Sequence, residues 1–338
     1  MAIKNEAFLV LEFSLAQRLD TATKKEYLPK IRRAASDAIK GDFVSAHEEV
    51  NSINLTEAVE SERKFIDLVG MQAILFGARD FHSAKNTSFA GNPPPVELKN
   101  ATDTITKMLI QNTTEAVKSN AHNLLDIEQV AQNESEIVIQ KATTKGFVRN
   151  FVSSVGKKGR GFVDIGSSLH TSRLASWGFT TEAELLGQTS FIVSEVLDGR
   201  TCPVCNLMNG KVFPVNTAKL RLESQLSIND PLELKAVAKW PSQTKSGIAK
   251  LESMSDSELI SAGWDTPPYH PRCRGVLRRT NKIAPLTIPE TVLPLAVEEI
   301  ITPLVVEAAS LGGVASVASV AIITESTLPP PVSEENEN

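Results

Sequence analysis

Apolar residues recur at helical spacing through the first 142 positions. Phe8, Leu11, Leu15 and Leu19 stand three or four apart, so one face of a helix is predicted to be buried. Tyr27, Ile31, Ala34, Ala35 and Ala38 continue that stripe over about 24–40, and Gly41 supplies a stop. A longer helix is predicted over 57–85, where Met71, Ile74, Leu75 and Ala78 share a face. Its apolar run, 68–78, is bounded by Asp67 and Arg79. That run is too short to cross a bilayer as a helix, which takes about 20 residues. Gly91-Asn92-Pro93-Pro94-Pro95 breaks the pattern. Helical spacing resumes over 97–141, with a thin stripe of Ile105, Leu109, Val117, Leu124, Leu125 and Ile127 that suits an elongated arm packed on a partner.

The pattern then changes. Over 141–173, Lys141, Lys145, Arg149, Lys157, Lys158, Arg160 and Arg173 face one acid, Asp164. Val155 to Gly161 carries three glycines among the cations and reads as a mobile basic loop, either a solvated hinge or a phosphate contact that ignores base sequence. Helix returns over 170–187, with Thr180, Thr181 and Glu182 as capping chemistry. Ser190 to Leu197 is β-branched and reads as a strand. A short strand at 211–215, a helical insertion over 217–263 whose last helix opens at Ser255-Asp256-Ser257-Glu258, and a final strand at 275–280 complete the reading. The fold class is therefore α+β and mainly helical. A helical region (1–142) leads through a basic linker (143–169) to a small β-containing module (170–282) and a tail (283–338).

Charge sharpens this division. The net charge is −5, but eight of the forty acids and none of the 35 bases lie beyond Lys282, which leaves the preceding residues at +3. The tail combines an apolar, proline-interrupted string with an acidic end, and is predicted to be extended or disordered until it docks on a partner. His47, His82 and His122 lie in predicted helices without further ligands at metal spacing and read as solvated or capping side chains.

The candidate chemistry is concentrated in the module. All three cysteines stand in Cys202-Pro203-Val204-Cys205 and His270-Pro271-Arg272-Cys273, two pairs with the same two-residue gap. Three thiolates and an imidazole are a donor set for a closed, tetrahedral, structural Zn²⁺ site, with Cys202, Cys205, His270 and Cys273 as ligands. A redox Cys-x-x-Cys would open a helix after a strand, whereas Asn209-Gly210 suggests a turn into a strand. Buried, reduced thiols are the plain alternative. Asp198, Arg200, Thr201 and Arg274 flank the ligands and are candidates to orient them. Losing a ligand is expected to melt 190–280 and spare the N-terminal helices.

The stretch Leu197-Asp198-Gly199-Arg200-Thr201-Cys202-Pro203-Val204-Cys205, then Asn209-Gly210-Lys211, then Pro267-Pro268-Tyr269-His270-Pro271-Arg272-Cys273-Arg274, resembles the phage Mu F-like minor head protein family. The likeness covers about 170–280. The chain departs from the family's pattern at Gly275, where a further Cys is common, and in the 64 residues between Cys205 and His270. The resemblance implies a non-enzymatic virion protein of the capsid interior or portal vertex, present in the host cytoplasm during assembly. Its implied partners are the portal or the major capsid protein, with a role in head morphogenesis and in DNA packaging or ejection. Phage DNA is a further, non-specific partner through Lys157, Lys158 and Arg160; a membrane is not expected. Two other classes stand beside this one: a zinc-containing nuclease or toxin-like hydrolase, and a zinc-knuckle nucleic-acid binder acting alone.

Overall fold

The computed structural model describes residues 2–79, 96–134, 142–270 and 272–282. The protein is mainly helical with one small sheet. Helix α1 (Ala2–Ile39) runs through Pro29 without ending and stops before Gly41, whose positive φ of 81° turns the chain. Asp42 then caps α2 (Phe43–Asn51) by accepting from the Ser45 N–H. The helix predicted over 57–85 divides at Ser61 and Glu62 into α3 (Thr56–Glu60) and α4 (Arg63–Ala78). Its expected end lies outside the described residues, as does the breaker at 91–95. Helix α5 (Val96–Glu134) fills the next predicted segment.

The largest departure from the sequence reading is α6, one helix from Ala142 to Leu185. Residues 143–169 are not a linker, and Val155 to Gly161 is not a loop. Local propensity is overridden there by packing. Phe151, Val155 and Val163 are buried in the core built by α1, α2 and α5. Gly159 presses on Tyr27 and Val117, where a Cβ would lie 2.9 Å from the tyrosine hydroxyl. Thr180 and Thr181 therefore cap nothing: they sit inside α6, and the Thr180 hydroxyl donates back to the Ser176 and Trp177 carbonyls.

Helix α6 threads all three apolar clusters. Its first part enters the core of the N-terminal helices. Leu174, Ala175 and Trp177 join Phe8, Ile74, Leu98 and Leu222 in a middle cluster. Phe179 and Ala183 close the core of the β module. The crossing with α4 is close because Gly77 and Gly178 meet backbone directly, Gly77 against the Ala175 carbonyl and Gly178 against that of Ile74. A methyl group at either would force the helices apart.

The sheet has the order β2-β1-β3, all antiparallel. Strand β1 (Ser190–Ser194) is central, with Phe191 opposite Phe213 of β2 (Val212–Pro214) on one side and opposite Arg279 of β3 (Val276–Arg279) on the other. Between β1 and β2 lies a short helix, α7 (Pro203–Met208). The predicted helical insertion is α8 (Val215–Ser227), α9 (Pro231–Val237), α10 (Lys245–Ser253) and α11 (Asp256–Ser261). Helix α11 starts with the expected capping box between Ser255 and Glu258. No helix among the described residues is long and apolar enough to cross a membrane. The tail over 283–338 lies outside them.

Candidate metal centre

The centre is built where β1 ends, where α7 begins and where the chain returns before β3. Cys202 is the N-cap of α7, and its Sγ accepts the Cys205 N–H at 3.3 Å. Pro203 at the first helical position favours that start. The cysteine pair thus opens a short helix after a strand, and the expected turn follows it at Asn209 and Gly210 (φ 84°) and leads into β2. The turn is therefore no argument against a redox pair. What separates the site from a dithiol pair is the arrival of other donors.

Those donors come from 65 and 68 positions downstream of Cys205. His270 Nε2 lies 3.0 Å and Cys273 Sγ 3.7 Å from Cys205 Sγ. In a tetrahedral zinc site with Zn–S near 2.3 Å, two sulfurs stand about 3.8 Å apart. The Cys205–Cys273 edge matches this, and the Cys205–His270 edge needs only a small opening. Cys202, Cys205 and His270 form one group whose donor atoms all lie within 4.8 Å, and Glu195, Cys205 and Cys273 form a second. The two groups share Cys205 and together hold the four sequence-predicted ligands. Cys273, however, groups with Glu195 and not with Cys202 and His270, so a tetrahedral site on all four needs Cys273 to close toward the other three. Cys205 and Cys273 are buried, and the donor set suits a thiophilic ion such as zinc.

Glu195 is the residue that sequence reasoning missed. It follows β1, is buried, and its Oε1 accepts from the Cys273 thiol at 3.7 Å. Its backbone N–H donates to Asn209 Oδ1 at 2.9 Å. Burial pushes its carboxyl up to about 7, against hydrogen bonds from Cys205 and Cys273 and the charge of Arg274. Gly275 makes room for it, because a Cβ there would overlap the carboxylate. No motif flags this glutamate. The one available signal is Gly275, the position at which the chain departs from the resembling family. Without a cation the crowding is unfavourable for thiolates: the hydrogen bond that the Cys205 thiol gives to Cys273, then burial, then the neighbouring anions push it far up. A divalent cation would reverse that balance.

The four flanking candidates fall into two roles. Arg274 donates to both Asp198 oxygens at 2.7 Å, a bidentate clasp between the two halves of the motif. Arg274 and the Arg200 N–H hold the Asp198 carboxyl well below the usual carboxylate range. Thr201 closes the turn, accepting from the Asp198 N–H and donating to the Val196 carbonyl. The Arg200 side chain is largely exposed and reaches Asp198 only at 3.5 Å. These residues orient the chain that carries the ligands.

Arg272, between His270 and Cys273, has a positive φ of 60° and points away from the sulfurs into the helices. Its N–H donates to Ser168 Oγ at 3.0 Å and its guanidinium to Asp164. Buried Glu12 of α1 completes this corner, its carboxyl pushed up to about 7 by burial, against Ser168 and Arg272. Arg160 is also engaged here, paired with Asp164 at 2.7 Å and with Asp20 at 3.1 Å. Of the predicted phosphate contacts, only Lys157 and Lys158 remain exposed on α6, and Lys158 lies over the Phe162 ring. His47 and His122 are not separate solvated side chains: they stack, with Nδ1 atoms 2.6 Å apart. His82 lies outside the described residues.

Compared with known protein families, curated proteins and solved structures, the chain matches none.

Proposed function

We propose that the cluster binds one structural zinc ion through Cys202, Cys205, His270 and Cys273, and that the protein is a minor head protein of a phage particle. The observation that carries the reading is the Asp198–Arg274 clasp. It joins the two sequence segments on which the likeness to Mu F-like head proteins rests, and it does so beside the converging donors. On this reading the metal closes a loop of 64 residues and contributes folding free energy rather than chemistry. The partners are the portal or the major capsid protein, and the place of action is the capsid interior or portal vertex. Lys157 and Lys158 supply a modest, sequence-independent affinity for packaged DNA.

Elemental analysis of the purified chain tests the first part: one zinc per chain is expected, and zinc-free protein with unchanged stability overturns it. For the second part, the chain should copurify with portal or coat protein and appear in purified particles. Particles assembled and filled normally without it would refute that role. Neutralising Lys157 and Lys158 together should weaken DNA retention at low salt; unchanged retention removes DNA from the partners.

One observation favours the hydrolase reading. Glu195 is a buried carboxylate beside the ligands, and a general base at a metal-bound water would be such a group. Glu195→Gln separates the two. A structural site keeps its zinc and the protein its assembly role. Loss of a hydrolytic activity found in the wild type would establish the enzyme.

A further inference from the structure

Arg173 lies in the last third of α6, half-buried, where the helix passes α5, α8 and the segment leading into His270. Two small cavities open on it. Thr104, Ile105 and Met108 of α5 and Gln225 and Leu226 of α8 line the first. Gln225, Trp240, Trp264, Pro267 and Tyr269 line the second, which Lys239 borders. Each offers about 20 Å³, room for one or two water-sized groups.

Three features make this corner unlike the other charged ones. Among the described residues no hydrogen bond or ion pair holds the Arg173 side chain, whereas neighbouring Arg221 pairs with Asp265 and Arg160 with Asp164. No acidic residue lines either cavity. In the second cavity two donors have no partner among the described residues, the half-buried Gln225 amide and the buried Tyr269 hydroxyl, whereas the unpartnered His170 Nδ1 of the first cavity is an acceptor. Burial alone lowers the Arg173 pKa, to about 10, which leaves the group cationic at neutral pH. Half-buried and without a counter-charge among the described residues, the guanidinium keeps contact with solvent and is open to an anion arriving from it. The walls add a constraint: indole and proline faces do not suit a strongly hydrated sulfate or phosphate.

We propose that Arg173, with Gln225 and the Tyr269 hydroxyl, forms a binding site for a small, weakly hydrated monovalent anion, either a halide or a single carboxylate group. The guanidinium supplies the charge and a planar fork of donors, the amide and phenol add one hydrogen bond each, and Trp240 and Trp264 close the sides. The site borders the cysteine cluster, because Tyr269 precedes His270 and feels the charges of Glu195, Cys273 and Cys205.

Two of the protein's three tryptophans line the second cavity, so bromide is a direct probe. The experiment is tryptophan fluorescence of the full, metal-replete chain, titrated with bromide at constant ionic strength against methanesulfonate. A saturable quenching component is expected, displaced by chloride or by acetate. Displacement by chloride alone marks a halide site, and displacement by acetate marks a carboxylate site. Arg173→Met should abolish the saturable component. Gln225→Leu, which leaves the charge in place, should weaken it about five- to tenfold, and this variant decides the matter if Arg173→Met does not fold. Quenching that rises linearly with bromide in the wild type, or a saturable component that neither substitution alters, overturns the proposal.

Discussion

Arg272 donates to Asp164, 108 positions earlier in the chain, and so ties the ligand-bearing loop to the middle of the longest helix. The metal centre is therefore built into the helical body. Cys202→Ser, Cys273→Ser or chelation should lower the stability of the described residues together, in one transition, rather than melting 190–280 alone. Circular dichroism at 222 nm, followed alongside tryptophan fluorescence, checks this; two separate transitions would restore the picture of a detached module. Arg272→Ala should cost about 1–2 kcal/mol, since Asp164 keeps Arg160 as a partner, and should leave the zinc content unchanged.

Asp198 and Arg274 are not among the candidate donors, yet their ion pair ties together the two segments that carry those donors. Asp198→Asn should lower zinc affinity about 10–100-fold, measured by competition with a chromogenic chelator. Asp198 is depressed in the folded state, so its contribution is present above the ordinary carboxylate pKa of 3.8 and is lost as pH falls through the lower folded value. Arg274→Lys, which keeps charge but not the fork, should recover only part of the affinity. Equal affinity in all three proteins would reduce the clasp to a surface ion pair.

His170 is 3% exposed, and its Nε2 lies 3.2 Å from the Ile66 carbonyl, to which it donates. Burial lowers its pKa from 6.5 to about 4, partly offset by that carbonyl and by Asp67. The unfolded chain therefore binds a proton that the folded chain refuses. Stability should be constant with respect to this group above pH 6.5 and fall by about 1.4 kcal/mol per unit below it, roughly 3 kcal/mol by pH 4. Urea unfolding of wild type and His170→Gln across that range isolates the slope, because Glu12 contributes in the opposite sense over a similar range. An identical slope in the variant would assign the acid sensitivity elsewhere.

The glycines of α6 divide by what they meet. A Cβ at Gly161 meets nothing within 4 Å, so Gly161→Ala should stabilise the protein by about 0.5–1 kcal/mol through helix propensity alone. A Cβ at Gly178 would lie 2.3 Å from the Ile74 carbonyl, so Gly178→Ala should destabilise by about 3 kcal/mol or more. Thermal unfolding of the two variants checks both signs. If Gly161→Ala had no effect, the segment around it would be the loop that its composition suggests.

Much of the architecture was legible beforehand because it is written in local periodicity. The helices over the first 134 residues, the Ser255 capping box and the three strands follow from spacing, caps and β-branching, each a property of a few adjacent residues. The candidate donors were legible for a different reason: thiols and imidazole at matching gaps are rare enough to mark possible metal chemistry without a fold. The misreadings share one cause. Val155 to Gly161 has the composition of a loop, yet it is helical because Tyr27, Val117 and the cores of other helices lie against it. Thr180 looks like a cap, and is interior for the same reason.

By itself, then, the chain's own order of residues determined which segments favour helix or strand, where the charges concentrate and which four side chains suit a zinc ion. Tertiary structure alone decided that α6 runs unbroken, that Arg160 pairs with Asp20 and Asp164, that Glu195 stands beside the thiols and that Arg173 has no partner among the described residues. The physical reason is range. Periodicity and capping act over a turn of helix or a pair of strands, whereas burial, counter-charge and close backbone approach depend on residues a hundred positions away, brought together only when the chain folds.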